Sequence, residues 1–397
     1  MNNVNLKINV KELLLYIILF FPISSILKVY IGPLNLVLTG LCLVLITYYY
    51  TNIRGMNIKE RWLLFYVWII IVVNCAICKF KFFNINMLFY YPFFIIYFSF
   101  FIKEQDYIYD FLNKHKKYVD IILLSWCSMV FISLFIPSCY RYEGETRAFV
   151  SFAGTTFLLT PIAMYIFALL IIQYKLYKNK IYIIALILPS LCILLGSTRT
   201  YLVGLMCAWL IFIYLIMRNK KRFFITLSVS SVLFIMIVLN SPIKNKFIDT
   251  SNRTELGLDP LNAFTSGRSV FWKYDMQVLL KQPWYKIIFG NGNNYLFYLN
   301  DAKFKVPLWA HNDFLQLFSD YGILGELIYL FVVNLAIKSI MGKNKSFLLR
   351  IIVYLMWIFI AFFNMFYTYF CMTLAFPFYL LVIKKDNYID VSEEKRR

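Results

Sequence analysis

Charge is scarce in this chain: Asp, Glu, Lys and Arg make up 15% of its 397 residues, where soluble domains run at about a quarter. With so few polar groups a folded globule could not clothe its surface, so a water-soluble fold is excluded. Histidine is nearly absent, with two in all, and on the outward segments there is neither an Asp-x-Asp pair nor a His/Cys/Glu cluster of metal-site spacing. No repeat of roughly 20 to 50 residues and no low-complexity tract occurs, which removes solenoids and linkers. Nor do the eight cysteines form a disulfide framework, because seven fall inside apolar runs. Cys75-x-x-Cys78 has the spacing of a metal or redox pair, but within a hydrophobic helix it reads as ordinary packing.

What the chain has instead is apolar length. Hydrophobic residues make up 61% and aromatic residues 20%, and a bilayer core is crossed by about 20 apolar residues in a helix. Apolar runs fall at 12–31, 34–50, 62–78, 86–102, 118–138, 149–173, 181–196, 200–217, 223–240, 312–337 and 347–383. The last is nearly twice a crossing and is expected to fold back at Asn364-Met365-Phe366-Tyr367-Thr368. The expected fold is therefore all-α and polytopic, with about twelve membrane helices. The first run has no small-residue cleavage site and is expected to stay as a membrane helix.

Forty basic against 20 acidic residues give a formal charge of +20, yet the placement argues against nucleic acid as a partner. If the N-terminus is cytoplasmic, the inner segments hold 25 Lys and Arg and the short outer ones six, which by the positive-inside rule puts both termini in the cytoplasm. The abundant Phe and Tyr are read as lipid-facing and interfacial residues. The layout divides the chain into helices 1–9 (1–240), one long outer loop (241–311), and helices 10–12 with a cytoplasmic tail (312–397).

The long loop does not read as disordered. Between Gly267 and Gln282 an apolar stripe (Val270, Phe271, Trp272, Tyr274, Met276, Val278, Leu279, Leu280) alternates with Arg268, Lys273, Asp275 and Lys281. This predicts an amphipathic helix on the outer membrane surface, capped by Thr265 or Ser266 and ended by Pro283. Pro283 to Tyr295 reads as a Gly/Asn turn, with a helix resuming near His311.

Three residues carry the candidate chemistry. Arg199 lies in the very short turn Gly196-Ser197-Thr198-Arg199-Thr200, with no acid close in sequence, so a cation at membrane level there needs a partner; lipid headgroups are the plainer alternative. Arg268 opens the amphipathic helix, where free amides and the helix dipole favour an anion. His311 stands at the outer mouth of a membrane helix, whereas His115 lies in a basic inner loop and reads as solvated. Together they describe an outward pocket with two planar cations suited to pyrophosphate and an imidazole suited to taking a proton. The positive neighbours are expected to lower the His311 pKa and keep it neutral. Glu143-Gly144-Glu145, Asp249, Asp259 and Asp301 read as loop acids.

Four segments resemble the bacterial O-antigen ligase and polymerase superfamily of membrane glycosyltransferases: GSTRTYLVGL (196–205), SGRSVFW (266–272), FGNGNNY (289–295) and AHNDFLQLFSDYGILGEL (310–327). The resemblance implies a cofactor-free, metal-independent transferase, with an undecaprenyl-pyrophosphate-linked oligosaccharide as donor. Arg199 and Arg268 would bind and stabilise the pyrophosphate, and His311 would activate the acceptor hydroxyl. Trp272, Asn291, Tyr295 and Asn312 would contribute to substrate binding. It places the protein in the bacterial inner membrane, its site facing the periplasm or exterior, among membrane lipids and alongside a chain-length regulator. Within it, the modest size favours a polymerase of O-antigen or capsular repeat units that inverts the anomeric centre. The alternatives are a ligase transferring glycan to lipid A core or protein and, from another class, a lipid-linked glycan flippase or transporter. A transporter is disfavoured because its usual related halves and mid-membrane charges are not seen.

Overall fold

A computed structural model describes residues 9–54, 58–78, 85–143, 146–217, 220–241, 244, 248, 259–342 and 347–384. Lys79, Lys81, Gly144, Glu145, Arg218, Asp249, most of the first part of the long loop and the tail after Lys384 lie outside the described residues.

Each apolar stretch read from the sequence is helical. In order these are α1 (Val10–Leu27), α2 (Leu34–Tyr48), α3 (Ile58–Ile77), α4 (Met87–Lys114), α5 (Lys116–Ser133), α6 (Thr156–Tyr177), the short pair α7 (Ile181–Ala185) and α8 (Ile187–Leu195), α9 (Arg199–Ile216) and α10 (Lys220–Leu239). The long loop adds α11 (Pro260–Phe264), α12 (Arg268–Leu279), α13 (Trp284–Phe289) and α14 (Tyr295–Phe304). After it come α15 (Asp313–Met341), α16 (Phe347–Asn364) and α17 (Phe370–Ile383), the chain turning back between the last two where the sequence placed a hairpin. Among the described residues, seven helices are long and apolar enough to cross a bilayer: α1, α2 with its continuation to Asn52, α4, α6, α9, α15 and α16. One element departs from an all-α expectation. Tyr140–Glu143 pairs antiparallel with Thr146–Phe149.

The core sits where α6 packs on α17. Both are apolar all round, the signature of a helix with no exposed face, and every residue of α17 is buried. α1, α4, α9, α15 and α16 surround this pair. Many of the aromatics expected at lipid surfaces are interior instead. Phe93, Phe94, Tyr97, Phe98, Phe100 and Phe101 of α4 are buried, with Phe93 4.5 Å from Phe370 and Phe98 stacked on Phe376 at 6.3 Å between ring centroids. Such offset and edge contacts add to the burial of large rings.

α15 is broken at Gly322, whose φ of +67° is outside the helical range. The break releases the carbonyls of Ser319 and Asp320, which accept the amides of Asn291 (2.7 Å) and Gly292 (3.0 Å). A Cβ on Gly322 would lie 2.3 Å from the Ile288 carbonyl oxygen, and one on Gly290 would lie 2.3 Å from that of Asp320. Two glycines therefore let the end of α13 press backbone to backbone on the kinked helix, and this docks the loop on the bundle.

Candidate active site

The starts of α6, α9 and α15 and the end of α16 meet at one end of the bundle, and the loop helices α11 and α12 cover it. Ser197 takes a positive φ just before α9, and Ser266 and Gly267 do so in succession before α12. These turns set an arginine at the first position of each helix. The N-cap of α12 is Gly267 rather than Thr265 or Ser266, although Thr265 Oγ1 accepts the Ser269 amide at 3.1 Å. Ser266, the other expected cap, instead accepts Arg199 Nη2 at 2.8 Å. Arg268 Nη1 donates to the Phe363 carbonyl at the end of α16, also at 2.8 Å.

Both guanidinium groups line a pocket of about 190 Å³. Its remaining walls are hydroxyl and aromatic side chains, among them Ser197, Thr265, Phe157 and Trp272, with the amide of Asn364, and among the described residues no carboxylate lines it. Burial works against the charge of Arg268 and lowers its pKa. An oxyanion entering the pocket would offset that cost, and paired guanidinium groups suit the several oxygens of a pyrophosphate.

His311 does not line this pocket itself, but its ring lies 6.4 Å from that of Phe157, which does. Its backbone is held at a φ of +50° by bonds on both sides. Trp272 Nε1 donates to the Ala310 carbonyl, Gln316 Oε1 accepts the Ala310 amide at 3.1 Å, and Asn312 Oδ1 caps α15 by accepting the Leu315 amide. The Nδ1 atom is buried and finds no hydrogen-bond partner among the described residues. Burial, and secondarily the charge of Arg268, push the His311 pKa down to about 3. The imidazole is therefore neutral, as the sequence led one to expect, although burial outweighs the positive neighbours.

The other residues assigned to substrate binding fall in different places. Trp272 lines the pocket. Asn312 is the α15 cap, Asn291 Nδ2 reaches the Ser319 carbonyl at the glycine-docked turn, and Tyr295 accepts from Gln282 Nε2 at 3.1 Å; none of the three lines the pocket. The stretch from Pro283, read as a turn, contains α13, and α14 follows before His311. Asp275 and Leu279 are the buried positions of α12, whereas Val270, Met276 and Leu280 of its apolar stripe are exposed. Asp275, read as a polar-face residue, is buried beneath α12, and that burial pushes its pKa up to about 7.

Asp313 was not singled out in the sequence. It is fully buried and accepts the Tyr329 hydroxyl (2.6 Å) and the amides of Phe366 (2.9 Å) and Tyr367 (3.3 Å). It thereby pins the α16–α17 turn to the helix that follows His311. An acid in a first helical turn, two residues after the histidine, was the one signal available; the Phe363 carbonyl that holds Arg268 gave none.

Residues 184–330 match the family model described as O-antigen ligase, and Arg199, Arg268 and His311 all lie within the matched stretch. No curated protein and no solved structure matches the chain. Over these residues, which make up less than half of the chain, the protein is similar to the O-antigen ligase family.

Proposed function

We propose that the protein is an inverting glycosyltransferase that polymerises undecaprenyl-pyrophosphate-linked repeat units into O-antigen or capsular polysaccharide, at the outer face of the bacterial inner membrane. The observation that carries this reading is the pairing of Arg199 and Arg268 in one pocket that no carboxylate lines among the described residues, beside a neutral His311. The donor pyrophosphate sits on the two guanidinium groups. An acceptor hydroxyl gives its proton to His311 and attacks the anomeric carbon from the face opposite the pyrophosphate. The anomeric C–O bond breaks, and its electron pair leaves on the lipid pyrophosphate, whose added charge the arginines offset by a few kcal/mol in a partly dry site. His311 then returns its proton to solvent.

A group with a pKa near 3 is a weak base in the empty site. The donor changes this, because its negative charge offsets Arg268 and favours the protonated imidazole. Basicity thus rises when a donor is in place, which discourages idle hydrolysis. The description of the matched family supports a second reading, a ligase that moves finished glycan to lipid A core or protein. Purified protein given only lipid-linked repeat units should yield a ladder of longer products. No ladder until a core or protein acceptor is added would overturn the polymerase in favour of the ligase, and turnover in detergent would exclude a flippase.

A further inference from the structure

A second, smaller pocket of about 40 Å³ lies beside the first, at the α1 end of the same aromatic wall. Tyr369 lines it, and the Tyr369 ring stacks 6.5 Å from Phe157, which lines the arginine pocket. Tyr369 also interacts electrostatically with Arg268, so the wall has a cation pocket on each side. The cation of the second pocket is Lys28, which follows the last residue of α1. It is half-buried, and that burial lowers its pKa. Among the described residues no carboxylate lines the pocket.

One side of the lining is prearranged polar structure between α1 and α2, and Tyr90, Leu158, Pro161, Ile162 and Phe370 make an apolar side. Asn35 Nδ2 donates to Ser25 Oγ at 3.0 Å, Ser24 Oγ donates to Asn35 Oδ1 at 2.9 Å, and Thr39 Oγ1 donates to the Asn35 carbonyl at 2.7 Å. A desolvated ammonium among fixed hydroxyl and amide groups, with no acid beside it, is costly unless an anion completes it. The volume decides the size of that anion: the arginine pocket has room for a pyrophosphate, whereas this one suits a single carboxylate or phosphoryl group. Its position decides the source. His311 is next to Phe157, so an acceptor sugar presenting a hydroxyl to His311 extends its other substituents along the Phe157–Tyr369 wall towards Lys28.

We propose that the Lys28 pocket is an acceptor subsite that binds one carboxylate or phosphate group carried by the acceptor glycan. The inference rests on the glycosyl-transfer reading for its choice of ligand. Membrane phospholipid offers the same oxyanion chemistry from a different source, and the experiment separates the two. Methyl glucuronoside, glucose 6-phosphate and uncharged methyl glucoside are titrated onto the protein in phosphatidylcholine nanodiscs, with binding followed by saturation-transfer NMR. At least one anionic sugar should bind tenfold or more tightly than methyl glucoside, about the value of a charge-assisted hydrogen bond. Lys28→Met should remove that advantage and Lys28→Arg should keep most of it, while Arg268→Ala leaves it in place.

Equal binding of the uncharged sugar would overturn the subsite. So would anionic binding lost in Arg268→Ala but kept in Lys28→Met, which would put the anion in the arginine pocket. Suppression of anionic-sugar binding by phosphatidylglycerol nanodiscs, with phosphatidylglycerol retained through Lys28, would assign the pocket to a headgroup and also overturn it. Because the readout is binding, anionic sugars held through Lys28 without any product ladder would defeat the polymerase alone. A ladder with binding indifferent to Lys28 would defeat only the subsite.

Discussion

His311 is half-buried and Asp275 is buried beneath the loop helix, and desolvation drives them in opposite directions. In the proposed mechanism the neutral form of His311 is the active one, so free-enzyme activity should be lost only as pH falls towards about 3. By the same mechanism a bound donor raises that pKa. The acid limb of kcat should therefore lie at higher pH than that of kcat/KM, and coincident limbs would contradict activation by the donor. His311→Ala should cost on the order of 10² to 10⁴ in rate with donor binding retained; undiminished turnover would remove the base assignment. Asp275 ionises at about 3.8 when unfolded and about 7 when folded. Between these values the folded chain keeps a proton that the unfolded chain gives up, so this group makes stability fall as pH rises from about 4 to 7. Asp275→Asn should abolish that fall. His311 contributes the opposite slope, a gain in stability as pH rises from about 3 to about 6.5. Thermal unfolding in detergent across this range, compared with the parent, measures both, and an unchanged profile would show that Asp275 is not desolvated.

At the scale of elements, the helix-start positions were legible from local pattern: Arg199 in a very short turn, Arg268 at the head of an amphipathic stripe, and His311 just before the next apolar run. What holds them was not legible, since it is mostly backbone. Arg268 rests on the Phe363 carbonyl, and the α16–α17 turn beyond it is fastened to α15 by Asp313. Periodicity carries no trace of such contacts. Asp313→Asn would turn an amide N–H towards the Phe366 and Tyr367 amides at a cost of about 2 kcal/mol or more. The expected outcome is weaker donor binding together with slower transfer, while Tyr329→Phe, which removes a single bond to the same carboxylate, should be milder. Equal effects from the two variants would mean that the turn does not need the carboxylate. α12 was located to within a few residues, but which of its side chains faces inward was misread. Alternation of apolar and polar residues cannot reveal that Asp275 is buried while Val270, Met276 and Leu280 are exposed.

Across the molecule, the apolar stretches marked the helices closely because hydrophobic length is an additive property of local sequence. The destination of the aromatics was not visible, since a phenylalanine packed between α4 and α17 and one facing lipid look the same in a run of apolar residues. Some aromatic and aliphatic side chains do remain outside on the loop helices, where Leu261, Leu280, Trp284 and Phe289 are at least half exposed. We expect this face to enter the outer leaflet of the membrane. In bilayers containing brominated lipid, Trp284→Phe should remove a component of quenched tryptophan fluorescence; quenching that is identical in the variant and the parent would place this face in water.

The glycine-to-glycine seam between the end of α13 and the break in α15 has a consequence for engineering. Because the lock is formed by main-chain atoms across two sites 32 positions apart, a specificity loop transplanted from a relative would arrive without its mate. Functional hybrids should require exchange of both halves as a unit, with the crossover placed beyond Gly322.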